Sequence, residues 1–262
     1  MSIVQTEHAG HKPLLRGVLH QWAAVYALGA GTGLVVLAPT PNARIAVAIY
    51  AASLVLLLTI SAVYHRCTWT TGVRTWLRRA DHASIFLLIG GTYTPIVMLA
   101  IGGDDGRHLS IAIWSGVALG VLVSMLWPHA PKFVTATIAV AVGWTIVPYV
   151  GMLRRVLDST ELWLIVVGGI AYTVGAVVYA VKRPNPWPRT FGYHEIFHAL
   201  TLVGAGLHLA AVLSIVRTAA TGPSPAARRG AVPRRSLAPV DRRQQHQDAE
   251  DLQSSEQHGQ RA

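Results

Sequence analysis

The chain has 262 residues, 52% of them hydrophobic and only 13% charged, where a soluble domain carries about 25% charge; its mean hydropathy is +0.41. The net charge of +10 does not point to nucleic acid, because the basic residues sit between apolar runs instead of forming a stripe. A single cysteine, Cys67, excludes an internal disulfide.

A helix needs about 20 apolar residues to cross the hydrocarbon core of a bilayer. Seven segments reach that length, which predicts an all-α, polytopic membrane bundle of seven transmembrane helices. Residues 1–13 form an N-terminal tail with Glu7 and several histidines, unlike the basic stretch of a cleaved signal peptide. The spans are predicted at residues 17–38, 45–65, 82–101, 109–127, 133–152, 162–181 and 191–216, within a domain covering 14–216. Pro39 and Pro41 separate the first pair, and Gly102, Gly103 and Asp104 the third and fourth. Pro128 and Pro131 separate the fourth and fifth, and Pro184, Pro186 and Pro188 the last two. Asp158, Ser159 and Thr160 offer caps before the sixth. Pro95 and Pro148 are expected to kink their helices. Gly29 with Gly33, and Gly116 with Gly120, have the spacing that lets membrane helices approach closely. Trp127 and Trp163 read as interface anchors. Residues 217–262 are rich in Pro, Ala, Arg, Gln and Ser without apolar periodicity, and read as a disordered basic tail.

Seven spans put the two termini on opposite sides. The N-terminal tail and the loops after the second, fourth and sixth spans hold ten basic residues, against four on the other side. That bias predicts a cytoplasmic N-terminus and an external C-terminus.

Ionisable groups inside a span are costly unless they are paired, buried in the bundle or bound to something. Here they are His20, His65, Asp81, His82, His194, Glu195, His198 and His208. The topology alone brings most of them to one depth: His65 ends the second span, Asp81 and His82 open the third, and His194, Glu195 and His198 open the seventh. His20, near the start of the first, joins that layer. His194 and His198 are four residues apart, so they share a helix face about 6 Å apart along the axis. Two such imidazoles grip one ion, and His65 is the natural third ligand of a zinc site with an open position. Ser61, one turn before His65, and Asp81 are placed to hydrogen-bond a ligand or a metal-bound water, or to orient a histidine. His208 reads as a helix-packing hydrogen bond, and His20 and His82 as interfacial groups.

These residues also carry a resemblance. Ser61-Ala-Val-Tyr-His65 resembles the Ser-xxx-His motif of the hemolysin III family, which belongs with the progestin and adipoQ receptors. The run from Asp81-His82 to Thr94-Pro95 is similar to that family's third-helix signature, His194-Glu195-Ile-Phe-His198 to its last-helix histidine pair, and Arg16-Gly-Val-Leu-His20 to its approach to the first helix. The likeness runs from about Pro13 to Val216 and leaves out the tail. It implies seven helices with a cytoplasmic N-terminus, and Zn2+ held by His65, His194 and His198. It also implies that Asp81 holds a zinc-bound water, with Ser61 beside the site. Its eukaryotic relatives are hormone receptors with suspected lipid-amide hydrolase activity, and its bacterial members are linked to hemolysis and to membrane fluidity.

Several functions fit these features. The first is a zinc-dependent hydrolase of a lipid amide or ester, with Asp81 and Ser61 as catalytic groups. A second is an intramembrane protease, because His194-Glu195-Ile-Phe-His198 is literally an HExxH pattern. A third is a non-enzymatic, receptor-like or membrane-regulating protein with structural zinc, and a fourth a cytolytic pore-former. The expected partners are membrane lipids, including a possible lipid substrate, with no nucleic acid, and the expected location is the cell membrane.

Overall fold

The computed structural model describes residues 13–221. The predicted N-terminal tail up to residue 12, and the predicted C-terminal tail from residue 222 onward, lie outside the described residues.

Seven helical rods follow one another. They are α1 (Val18–Leu37), α2 (Pro41–Arg66), α3 (Thr71–Pro95), α4 (Gly103–Leu126), a broken rod made of α5 (Lys132–Gly143) and α6 (Val150–Val156), α7 (Ser159–Val181) and α8 (Tyr193–Thr221). Six of the rods are long and apolar enough to cross a membrane. The remaining one, α1, is 20 residues long but spends His20, Gln21, Thr32 and three glycines on its length. Trp22, Leu56, Leu119, Leu126, Trp163 and Val174 face outward and exposed. So large an apolar exterior suits lipid and not water.

Local chemistry explains the ends. Pro41 opens α2, where its missing N–H costs nothing, and the Thr40 side chain accepts from the Ala43 amide at 3.2 Å. Of the three cap candidates before the sixth span, Asp158 caps α7, in a reciprocal box with Glu161. Beyond Pro95 the chain continues as π-helical turns over Ile96–Ile101, because proline removes a helical donor and displaces the ladder. Pro148 sits in a 3-10 turn, Val147–Tyr149, that separates α5 from α6, so the fifth span is broken and not merely kinked. The Tyr93 hydroxyl donates to the Gly143 carbonyl at the end of α5, tying α3 to this break.

Several expectations change; α4, for one, begins at Gly103 and not at residue 109, so Gly103 and Asp104 belong to it. The third helix begins at Thr71, well before the predicted residue 82. The apolar run marks only the part that needs hydrocarbon, and the backbone ladder continues past it through Arg74, Arg78 and Arg79. Likewise α8 runs to Thr221, so residues 217–221 are helical. The small-residue contacts are also redistributed. A Cβ at Gly116 would meet Val142 at 2.8 Å and one at Gly120 would meet the Phe86 ring at 2.2 Å, so that pair does permit close packing, against α5 and α3. Gly29 and Gly33 face open space, and the close approach of α1 to α2 is made by Gly31, whose Cβ would lie 2.7 Å from that of Ala51.

Two apolar clusters fill the interior. One joins α3 to α4, α5, α6, α7 and α8 through residues such as Phe86, Ile113, Val142, Leu153, Ile165 and Ile215. The other joins α1, α2, α3 and α8 through Leu34, Tyr50, Leu57, Leu88 and Val212. Helices α3 and α8 belong to both and form the middle of the bundle. A buried carboxylate, Glu161, accepts from the Ser214 hydroxyl at 2.9 Å and locks the start of α7 to the last turns of α8. Its carboxylate had not stood out among the span residues, since it sits in the first turn of its helix, where an acidic side chain is ordinary.

Candidate metal centre

The end of the bundle opposite Glu161 gathers the histidines. Just before α1, the Leu14 and Leu15 amides donate to the carbonyls of Arg189 and Thr190, at 3.1 and 3.4 Å, in the α7–α8 connection. That docking brings the start of α1 against the start of α8. Gly17 makes the turn with φ +76°, and a Cβ there would stand 2.9 Å from the Cβ of His65. Only glycine satisfies both the left-handed backbone and the contact with the last turn of α2.

His65, His194 and His198 are buried, and each offers a ring nitrogen such that all three lie within 4.8 Å of one another. The Nε2 atoms of His65 and His194 are 3.2 Å apart. Zinc–nitrogen bonds of ~2.0–2.1 Å in a tetrahedron separate two ligand nitrogens by about 3.3 Å, so this spacing fits an ion between them. The Nε2 of His198 is buried with no hydrogen-bond partner, an orphan that a metal would satisfy. These three histidines are positioned to bind a metal ion.

The groups around them divide into two sets. Asp81 Oδ2 lies 3.8 Å from His65 Nε2, too far for a hydrogen bond and near enough to reach a small molecule held between them. Ser61, buried one turn before His65, approaches the Asp81 carboxylate without completing a regular hydrogen bond. Glu195 belongs to the other set. Its carboxylate is 1% exposed, pairs with Arg16, and accepts from the Gly192 amide at 2.9 Å. Both oxygens are therefore engaged in joining the approach to α1 to α8 and in capping the latter, unlike the free water-activating glutamate of a zincin.

His20 proves to be more than an interfacial group. It is buried, and its Nε2 sits 2.9 Å from Nδ1 of His198. A histidine that ligates through Nε2 carries its proton on Nδ1 and needs an acceptor there, which His20 supplies. Replacing His20 with Ala is expected to weaken metal affinity about 10–100-fold with helical content unchanged. A chelator-competition titration checks this, and unaltered affinity would remove His20 from the site. His208 bonds the Ile165 carbonyl through Nε2 at 3.1 Å, as a packing histidine does.

Comparison with known proteins now adds identity. A family profile described as "Haemolysin-III related" matches residues 8–209. The chain belongs to this family. Among haemolysin-III related proteins it is 28% identical to "Hemolysin-3" of Bacillus cereus over 179 residues, covering 68% of this chain and 78% of that protein. It is 27% identical to the "Hemolysin-3 homolog" of Bacillus subtilis (strain 168) over 165 residues, covering 63% and 74%. It is also 34% identical to "Heptahelical transmembrane protein ADIPOR2" of Oryza sativa subsp. japonica over 149 residues, covering 50% and 64%. No solved structure matches it. A haemolysin-III related chain with six apolar rods of spanning length is a multi-pass integral membrane protein.

In this haemolysin-III related chain the histidine cluster opens outward through a cavity of about 660 Å³. His65, Asp81, His82 and His194 line it, together with Tyr64, Trp69, Tyr179, Tyr193 and the cations Arg16, Arg74, Arg78 and Lys132. His82 thus faces the cavity and stands outside the trio. Because α3 starts at Thr71, Asp81 and His82 lie deep in a continuous helix and not at its first turn. That rigid placement suits a group that must hold a fixed distance from His65.

Proposed function

We propose that this protein is a zinc-dependent hydrolase of lipid amides or esters, acting near the cytoplasmic surface of the membrane. The observation that carries the proposal is the convergence of three imidazole nitrogens, with His65 and His194 lining a cavity beside Asp81. Histidine nitrogen donors, three in number, are the ligand set of hydrolytic zinc sites with an open position. Zinc held there supplies a Lewis acid that polarises a carbonyl and acidifies water. His65, His194 and His198 hold the ion, and His20 fixes the tautomer of His198. Asp81 accepts the proton of the attacking water and returns it to the departing amine or alkoxide. Ser61 orients the Asp81 carboxylate. The cytoplasmic placement follows from the excess of basic residues on the side that bears the site.

The test is turnover. Purified protein in detergent is expected to hydrolyse members of a panel of lipid amides and esters, to lose that activity on chelation, and to regain it when zinc is restored. Absence of zinc-dependent turnover across the panel would overturn the enzymatic reading. One observation favours a second reading. The trio joins α2 to α8, so zinc would staple these helices in a receptor-like or membrane-regulating protein. Thermal stability that falls on chelation, with no turnover, is the result that reading requires. The name of the Bacillus relatives suggests a cytolytic pore-former, but apolar clusters fill the interior between the two ends of this bundle. Leakage from liposomes that survives loss of all three histidines would restore that reading.

A further inference from the structure

The cavity beside the histidines is lined by four basic side chains, Arg16, Arg74, Arg78 and Lys132, and one carboxylate. Arg16 is neutralised by Glu195. Asp81, the lone carboxylate in the lining, already stands against His65. Arg74, Arg78 and Lys132 then remain, and none of them has a carboxylate partner among the described residues. Their arrangement is unfavourable without a ligand. Arg74 and Arg78 are four residues apart on the same face of α3, where like charges repel. Lys132 occupies the first position of α5, where the helix's own positive end disfavours a cation. It is nevertheless held in place: its Nζ donates to the Tyr193 hydroxyl at 3.0 Å and sits 4.3 Å from the Tyr179 ring centroid and 4.8 Å from that of Tyr193. These three cations line one cavity together with His65 and His194.

We propose that this vestibule binds the phosphate group of an anionic lipid, with Arg74 and Arg78 as forked donors and Lys132 as a fixed point charge. Guanidinium groups match phosphate oxygens in pairs of hydrogen bonds, and a phosphate between the arginines turns their repulsion into attraction. Basic pockets at the cytoplasmic ends of membrane helices are suited to lipid head groups. The amphipathic rings of Tyr64, Trp69 and Tyr193 line the same cavity, the ring type that settles at head-group level. Phosphate capture needs no zinc, so its success or failure is read separately from that of the hydrolytic proposal.

The experiment is calorimetric titration of the full chain in neutral detergent, treated with chelator, using three probes: dihexanoyl phosphatidic acid, dihexanoyl phosphatidylcholine and inorganic phosphate. Phosphatidic acid is expected to bind more tightly than either of the others. Each of Arg74→Gln and Arg78→Gln is expected to weaken it about tenfold. Arg74 is exposed and Arg78 partly so, so both variants are expected to fold, which an unchanged melting temperature verifies. Lys132→Gln gives a third, independent loss. Equal binding of inorganic phosphate would overturn the lipid assignment in favour of the free anion. Equal binding of the zwitterionic lipid, or affinity that survives all three substitutions, would overturn the site itself.

Discussion

Protein purified without added metal is expected to carry about one zinc per chain, and the His194→Ala/His198→Ala variant none. The two imidazoles share a face at the start of α8 and supply two of the three nitrogens, so their loss leaves His65 alone of the trio. The effect extends to stability. A ligand that binds only the folded state stabilises it by about 2.7 kcal/mol at a hundredfold excess over Kd, and an ion held by this trio would also bridge α2 and α8. Chelation should therefore lower the melting temperature of the wild type and leave that of the variant unmoved. Elemental analysis beside a thermal melt checks both. Metal retained by the variant, or no metal bound by the wild type even when zinc is supplied, would sink the three-histidine site and leave these groups as a packing or proton-relay network.

Asp81→Asn is expected to separate metal binding from chemistry. The carboxylate lies 3.8 Å from His65 Nε2 and outside the ligand trio, so zinc content should stay near the wild-type value. Turnover should fall by about 10²–10⁴-fold, the range for loss of a positioned general base, because the amide keeps the shape but cannot accept a proton. Ser61→Ala, which removes only an orienting group, should cost less, about tenfold. Glu195→Gln should behave differently from both. It breaks the ion pair with Arg16, whose guanidinium is partly exposed, so a stability loss of about 1–3 kcal/mol is expected, while the activity per folded molecule persists. Activity lost with Glu195 and kept with Asn at residue 81 would reverse these roles and favour the protease chemistry of an HExxH helix.

The number of rods and the layer in which the chemistry lies could both be read along the chain. Apolar run length marks six of the rods, because hydrocarbon demands about 20 residues from each, and α1 has the length with a more polar content. Alternation of direction then puts the end of α2 and the starts of α1, α3 and α8 at one depth, whichever way the chain is oriented. Helical periodicity put His194 with His198, and Ser61 with His65, on shared faces. Depth and face are local properties, and both were legible. Which neighbour each face meets was not. His20 behind His198, Arg16 on Glu195 and Gly31 against Ala51 are contacts between helices. The order of rods around the bundle is fixed by the packing of α3 and α8 at its middle, a non-local outcome that periodicity along one axis does not encode. The polar start of α3 escaped the hydropathy pattern for a related reason. Hydropathy records where a helix is in lipid, whereas its length is set by backbone hydrogen bonds that continue into water. Packing between helices, and not any one segment, made Glu195 a strut, set His20 behind His198, and put Arg74, Arg78 and Lys132 in one cavity with His65 and His194.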